Sequence, residues 1–394
     1  MLLSRKIRLK PTPEQEVLFW KHAGASRWAY NYFIAENQRV YTEYLANDKQ
    51  GKPFLNSNEV KKQITQMKQS THIWLKELSS QAIAWSVRNA ELSYIRWFKQ
   101  QNGKPKFKTK RKSVPSFYVR HNTLYKMNGG FQGERLGFVK TAEPLPDIPN
   151  GTNYSDPHIS FDGKYWYLSL SYPVESKQVK LTDESLGIDL GVKELAVCSN
   201  GKVFKNINKT KKVKKLKKKL RRANRNLSRK QTANTKGYKK QGKGQAPIFE
   251  RPLYDCKNYQ KQKKEIKLLN RKLNNIRQNY LHQVTTELVK TKPKRVVMET
   301  LNIQGLVKNK HLAKFIYEQK MYEFKHQMQY KCELYGIEFI SADRFYPSSK
   351  TCSCCGHIKS DLKLSDRIYK CDACGLVLDR DYNASLNLAK YQSA

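Results

Sequence analysis

The sequence predicts a mixed α+β protein of more than one domain, and three observations carry that prediction. Segments with apolar residues at helical spacing alternate with short apolar runs bounded by Gly, Asn and Asp turns. At 394 residues the chain exceeds one typical domain. Hydrophobic residues make up 39% and aromatics 11%, enough to build cores, so the chain is not a disordered tail. The 76 Lys+Arg against 33 Asp+Glu leave a formal net charge of +43. Such a charge opposes compaction unless a polyanion neutralises it, and nucleic acid is the obvious polyanion.

Residues 3–10 alternate Leu3, Ile7 and Leu9 with Arg5, Lys6, Arg8 and Lys10, a strand pattern. Thr12-Pro13-Glu14-Gln15 then signals a helix start, with Thr12 as cap, Pro13 in the first position and Gln15 closing a capping box. That aromatic-rich helix is expected to run towards Gly51-Lys52-Pro53, and a second begins around Asn56 and Glu59. A third carries the stripe Ile83, Val87, Ala90, Tyr94 and Trp97 and stops at Asn102-Gly103. From 104 to about 180 short strands follow, with Asp162-Gly163 as a hairpin turn. Leu186 to Phe204 reads as two strands joined at Asn200-Gly201. Two helices follow, one striped by Val213, Leu216, Leu220 and Leu227, the other by Ile266, Leu269, Leu273, Ile276, Tyr280, Val284 and Leu288. They flank a predicted loop over 231–256 and suggest an antiparallel helical hairpin. Arg295 to Met298 is a buried-type strand ending at Glu299; a helix over about 311–335 and a strand from Ile337 to Ile340 complete a mixed sheet.

The charge is unevenly placed. Residues 92–133 hold ten Lys or Arg and no acid, and residues 205–243 hold 18 and no acid. A solvated surface normally mixes both signs, so these stretches read as phosphate-binding surfaces. A plain solvated coiled coil is the alternative for the second, and it would mix its charges by helix pairing. Trp28, Tyr30 and Trp97 could stack on nucleotides, although aromatics at helical spacing also form cores. No run reaches the roughly 18 apolar residues of a membrane helix. Met-Leu-Leu-Ser before Arg5-Lys6 is too short for a signal peptide. A cytoplasmic chain with reduced thiols is expected.

Cys352-x2-Cys355, fifteen residues, then Cys371-x2-Cys374 has the spacing of two knuckles offering four thiolates to one ion. Gly356 and Gly375 directly follow each knuckle, where the backbone must turn sharply. Four thiolates close a tetrahedral site, so a structural zinc is expected. Cys354 reads as a bystander, with a swap against Cys355 left open. Cys198, Cys256 and Cys332 read as ordinary thiols.

Three acids sit where catalysis could use them. Asp189 lies mid-strand in Gly187-Ile188-Asp189-Leu190-Gly191, Glu299 ends a strand, and Asp381 opens a helix in Asp379-Arg380-Asp381-Tyr382-Asn383-Ala384. A buried charge needs a partner or a metal; a helix-start acid alone more often caps the helix. Together they suggest a three-carboxylate site for two divalent ions, the arrangement that serves both oxygens of an in-line phosphodiester displacement. Magnesium suits hard carboxylate oxygens.

These residues resemble the motifs of a known family. Gly187 to Val192, Met298-Glu299, Arg344-x-Tyr346-Pro347-Ser348-Ser349-Lys350-x-Cys352 and Asp379 to Ala384 resemble TnpB (OrfB), from bacterial and archaeal insertion sequences and related to type V CRISPR effectors. Arg27-x-x-Tyr30-Asn31 and Gly103-Lys104-Pro105-Lys106-Phe107-Lys108 are similar to the family's early motifs. The resemblance implies a RuvC-like nuclease domain of RNase H fold with an inserted zinc ribbon, plus a β-barrel wedge domain carrying an inserted helical recognition lobe. The implied boundaries are 1–11 and 104–180 for the wedge, and 12–103 for the helical lobe. Residues 181–351 and 375–394 would form the nuclease domain, with its basic hairpin at 205–290, and 352–374 the ribbon. It implies Asp189, Glu299 and Asp381 as magnesium-binding catalytic acids, a guide RNA from the transposon end, and cleavage of double-stranded DNA beside a transposon-associated motif. The candidate nucleic-acid contacts are Arg27, Lys104, Lys106, Lys108, Lys110, Arg111, Lys112, Lys214, Lys218, Arg221 and Arg222. Two other functions remain in view: a transposase or accessory protein in transposition, and a guide-dependent DNA-binding repressor. A repressor that had lost cleavage should lack one of the acids, and all three are present.

Overall fold

The structure, a computed structural model, describes residues 1–149, 151–241, 244–363 and 366–392. The chain divides into two compact units, Leu2–Val174 and Glu175–Ala394.

The first unit contains β1 (Leu2–Arg8), α1 (Pro13–Ala46), α2 (Ser57–Met67), α3 (Ser80–Phe98), β2 (Ser116–Tyr118), β3 (Tyr125–Met127), β4 (Gly130–Gly133), β5 (Gly137–Lys140), β6 (Ser155–Phe161) and β7 (Trp166–Pro173). The capping box expected of Thr12 and Gln15 opens α1, and α2 begins at the expected place, where Asn56 and Glu59 form a second box. An antiparallel sheet in the order β1-β7-β6-β2 and a smaller sheet β3-β4-β5 share one core, in which Ile7, Phe117, Ile159 and Leu168 meet Phe131 and Val139. At the Asp162-Gly163 turn between β6 and β7, the Asp162 carboxylate accepts from the Lys164 and Tyr165 amides. The first part of α1 packs Phe19 and Ala23 into the sheet core. Its later turns pack Ala29, Phe33 and Ile34 against Ile83, Val87 and Ala90 of α3. The expected stripe of α3 is thus its buried face. Both α1 and α3 end earlier than their flanking Gly and Pro residues suggest, at Ala46 and Phe98.

The second unit contains β8 (Ser185–Leu190), β9 (Glu194–Cys198), β10 (Val203–Lys205), α4 (Lys211–Ala233), β11 (Thr235–Gln241), β12 (Gly244–Phe249), α5 (Lys257–Lys290), β13 (Arg295–Glu299), α6 (Ile303–Lys308), α7 (Lys310–Gln319), α8 (Met321–Leu334), β14 (Glu338–Ala342), β15 (Ile368–Lys370), β16 (Val377–Asp379) and α9 (Arg380–Lys390). Its five-stranded sheet has the order β10-β9-β8-β13-β14. The first three strands form an antiparallel meander, and β13 and β14 continue it in parallel. One side of the sheet is covered by Leu281, Val284 and Leu288 of α5 and Phe324, Met328 and Cys332 of α8. On the other side Leu388 of α9 packs with Val297 and Ala342. No described helix is long and apolar enough to cross a membrane.

Three expectations need correction. Residues 186–204 form three strands, because a tight turn at 191–193 folds β9 back on β8 before the Asn200-Gly201 turn. The stretch 231–256 is not a plain loop: β11 and β12 pair antiparallel at the tip of the α4–α5 hairpin. Residues 242 and 243, which end the acid-free stretch, lie outside the described residues. The helix expected over 311–335 is two helices, broken where Lys320 takes a left-handed conformation with φ 57.

Gly187 is required by packing. A Cβ there would collide with the Ser385 carbonyl oxygen and the Ala389 amide of α9. Gly187→Ala is expected to lower stability by about 1–3 kcal/mol, the usual cost of forcing atoms into a filled core, read as a lower denaturant midpoint. An unchanged midpoint would contradict this packing.

Candidate functional site

The sheet register places two of the acids side by side. Met298 pairs with Ile188 in the parallel β13–β8 ladder, so Glu299 follows one rung on, level with Asp189. Alternate residues of a strand share a face. Asp189 therefore lies on the face of Gly187, and Glu299 on that of Val297, which is the face packed by α9. Along α9, Asp381, Ser385 and Leu388 follow helical spacing on one stripe, and Ser385 and Leu388 abut Gly187. Two residues of strand span about 6.6 Å and four residues of helix about 6 Å. The step from Gly187 to Asp189 thus matches the step from Ser385 to Asp381.

The electrostatics agree with that convergence. Burial, then the charges of Asp381 and Glu299, push the Asp189 carboxyl up to about 7. Burial also raises Glu299. Asp379, not Asp381, caps α9: its carboxylate accepts from the Asp381 amide at 2.9 Å and the Tyr382 amide at 3.1 Å. Asp381 is thereby released from capping and lies 3.3 Å from Arg380 and 3.9 Å from Arg367. Three hard carboxylates on one partly buried face, with Asp189 held partly protonated by burial and then by repulsion, are a donor set suited to divalent cations.

The four cysteines meet. Their sulfurs all lie within 4.8 Å of one another, with Cys352 to Cys374 at 3.5 Å and Cys355 to Cys371 at 3.6 Å. A tetrahedral ion with arms of about 2.3 Å to sulfur has edges of about 3.8 Å, so these distances suit a four-thiolate metal ion. Each knuckle closes alike. The Cys352 amide donates to His357 O at 2.8 Å and the Cys371 amide to Leu376 O at 2.8 Å. Gly356 and Gly375 take φ 77 and 73, the left-handed turn that glycine allows. Amides of Cys374 and Ala373 aimed at the Cys371 sulfur draw its pKa down to about 6, towards the thiolate a metal needs. Cys354 is exposed and outside the cluster.

Helix α9 grips this knuckle through residues that sequence reasoning did not assign. The buried Asn383 amide accepts from Ser353 N at 3.0 Å and donates to Thr351 O at 2.7 Å. Asn387 donates to Ser348 O at 2.8 Å and Thr351 O at 2.6 Å. Asn383 lies two residues from Asp381, so the cysteine knuckle and the third acid are held by the same helix. A buried Asn two positions after an acid was the available signal, but its partners lie some thirty residues away in sequence.

The basic residues fall on two surfaces. In the first unit Asn31 clamps Lys108, donating to its carbonyl at 2.8 Å and accepting its amide at 2.7 Å. The Lys108 ammonium lies 3.8 Å from the Tyr30 ring centre. The 27–31 and 103–108 motifs are thus one structural element. Lys104, Lys106, Lys110, Arg111 and Lys112 are exposed and Arg27 is partly buried. Tyr30 is 6% exposed and belongs to the helical core, while Trp28 and Trp97 pack partly buried against it. In the second unit Lys214, Lys218, Arg221 and Arg222 are exposed on α4, and none has a carboxylate partner among the described residues. Lys218 and Arg222 line a groove of about 750 Å³ between α4 and α5. Lys217 instead pairs with Glu318 at 2.5 Å and Lys219 with Glu265 at 3.4 Å. Helix pairing neutralises only this minority.

A mixed α+β chain with a four-cysteine cluster and a carboxylate-bearing sheet matches known proteins along its whole length. Residues 169–310 match the OrfB family of insertion sequences, described as "Probable transposase", and residues 322–388 match "Cas12f1-like, TNB domain". Residues 1–45 match a "Helix-turn-helix domain" of OrfB proteins, although here they form one strand and a single unbroken helix. A protein of Streptomyces pristinaespiralis named "Putative RNA-guided DNA endonuclease" is 28% identical, over 97% of this chain and 87% of its own length. InsQ of Escherichia coli K12, given the same description, is 26% identical over 97% and 90%. The fold is similar to that of Cas12f1 in a complex with sgRNA and target DNA, with a TM-score of 0.55 and 15% identity over 99% of this chain and 98% of that one. Along its length the chain is thus similar to TnpB (OrfB) proteins.

Two predictions test the geometry. Folded Asp189 keeps its proton up to about pH 7, whereas an ordinary aspartate releases it near 3.8. Between those values the folded state binds the extra proton, so stability falls as pH rises through the window. Asp189→Asn removes that loss. With chelator present, the variant should melt higher than the parent above about pH 7 and equally near about pH 3; equal melting at both would contradict the raised Asp189 pKa and the burial that chiefly causes it. Asn383→Ala strands the Ser353 amide, while Thr351 O keeps its bond from Asn387, and should cost about 1–3 kcal/mol. It should also speed metal release to a chelator, and an unchanged release rate would contradict the clamp.

Proposed function

We propose that this chain is an RNA-guided DNA endonuclease that hydrolyses DNA phosphodiester bonds at Asp189, Glu299 and Asp381. The observation that carries the reading is the convergence of the three carboxylates on one sheet face, where burial and mutual repulsion push Asp189 to about 7. Two magnesium ions bound there would activate a water and stabilise the leaving 3′ oxygen. Asp189 and Glu299 hold their carboxylates in register on adjacent strands, and α9 holds Asp381 over them. The relatives' names and the fold of a guide-RNA and target-DNA complex support a guide RNA and a DNA target as partners; the motif resemblance to TnpB adds that the RNA is transcribed from the transposon end and the target is a duplex. In such a division of labour, base pairing reads the sequence and the protein grips backbones.

The meander continued by two parallel strands supports a RuvC-like, RNase H-type domain over 181–351 and 375–394, with the basic hairpin at 205–290. The cysteine cluster supports a structural zinc ribbon at 352–374. The two sheets sharing one core, bridged at Leu9 and Thr141, support a wedge-type barrel over 1–11 and 104–180, and α1–α3 a recognition lobe within 12–103. Lys214, Lys218, Arg221 and Arg222 on one unit, and Arg27 with Lys104 to Lys112 on the other, are the proposed phosphate contacts.

Asp189→Ala or Glu299→Ala should reduce magnesium-dependent cleavage of a target duplex to background while RNA and DNA binding stay nearly intact. Loss of binding together with cleavage would sink the catalytic assignment. Cleavage without strand joining separates this reading from a strand-transferring transposase. If six to ten phosphates are gripped, nucleic-acid affinity should fall about a thousandfold or more between about 50 and about 200 mM salt. A flat salt response would contradict the proposed surfaces.

A further inference from the structure

The first unit contains a cavity of about 370 Å³ between α1, α3 and the β2 and β6 strands. It was not anticipated from the sequence, and three observations mark it as built for a ligand. Its wall holds a stiff aromatic platform: Trp85 stacks on Tyr118 with ring centres 5.7 Å apart and 6° between planes, and the His158 ring meets Trp85 edge-on at 4.3 Å. Two polar atoms in the lining are buried without a partner, Ser26 Oγ and His158 Nε2, and Ser26 is only 5% exposed. Two cations, Arg27 and Lys108, border the same cavity.

The lone nitrogen has a defined polarity. His158 Nδ1 lies 2.8 Å from the Asp156 carbonyl, which can only accept, so Nδ1 carries the proton. Burial lowers the His158 pKa, with the Lys108 charge acting in the same direction and Asp156 opposing. The ring is neutral and Nε2 is an acceptor awaiting a donor. A buried polar group without a partner costs free energy, and a complementary ligand relieves it. The occupant must therefore present an N–H or O–H to His158, a hydrogen-bonding group to Ser26, a flat face to Trp85 and an anion to Arg27 and Lys108. A nucleotide whose base carries an amino group meets all four demands.

We propose that this cavity holds one unpaired nucleotide of the bound RNA, its base against Trp85 and its phosphate towards Arg27 and Lys108. The inference rests on the RNA-guided reading above. The volume lies at the small end of small-molecule pockets, about 300–1,000 Å³, and cannot admit a duplex. Folded RNA offers unstacked bases in loops and bulges. A DNA duplex would first have to unpair and flip one out. That difference favours RNA as the source.

The test uses the full chain with the RNA that copurifies with it. His158→Phe keeps an aromatic ring against Trp85 and deletes the lone acceptor, together with the exposed Nδ1 bond to the Asp156 carbonyl; Trp85→Ala deletes the platform. His158→Phe should leave the melting temperature nearly unchanged, because removing an unsatisfied buried nitrogen offsets the loss of the exposed bond to the Asp156 carbonyl, yet weaken RNA binding about tenfold. Trp85→Ala should weaken it about tenfold or more. Neither should change the affinity of the RNA-free chain for duplex DNA. RNA affinity within twofold of the parent in His158→Phe, or weakening confined to duplex DNA, overturns the pocket and leaves the endonuclease reading standing. Should the unaltered chain retain no defined RNA, the pocket falls together with the reading it rests on.

Discussion

Where α9 crosses β8, the sheet has room for no side chain beyond a hydrogen atom. Ser385, Leu388 and Ala389 fill the space above Gly187. This contact fixes the distance of the helix from the sheet, and the helical and strand repeats then carry Asp381 out over Asp189. The same helix reaches the other way, through Asn383 and Asn387, to the backbone at 348–353. The cysteine cluster therefore has a mechanical role. It braces the loop that α9 grips, and α9 in turn positions one acid of the three. Removing the thiolates would loosen that loop before it touched any carboxylate directly.

Electrostatics divide the molecule by purpose. Most of the basic excess stays on exposed faces, where it costs little in water and waits for phosphate. The three acids are gathered where protein encloses them, and burial, reinforced by repulsion from Asp381 and Glu299, holds a proton on Asp189 up to about pH 7. That repulsion is an unfavourable interaction that a bound divalent cation would relieve.

The sequence was legible wherever the determinants are local. The cysteine knuckles, the Thr12–Gln15 capping box and the α3 stripe depend on residues within one or two turns of each other, and the structure forms them as read. The acids were legible as types, and their register became visible only with the β13–β8 ladder. Other features escaped for physical reasons. The β11–β12 hairpin at 235–249 is polar and shows little apolar alternation, so it looked like a loop. The left-handed Lys320 that splits 310–334 into two helices has no glycine to announce it. Asn383 was visible beside Asp381, but its buried bonds to Thr351 and Ser353 join segments distant in the chain. Trp85 lies within the α3 span but off its buried stripe, and only the fold brings it beside Tyr118 and His158.

The central claim is that Asp189, Glu299 and Asp381 form one divalent-cation site governed by the seating of α9. Titration of the zinc-loaded full chain with manganese, followed by its electron paramagnetic resonance signal, tests this most directly. The account predicts saturable binding of two ions at neutral pH, lost or greatly weakened in Asp381→Asn and unaffected in Asp379→Asn if α9 remains folded. Equal manganese binding by the parent and Asp381→Asn would contradict it.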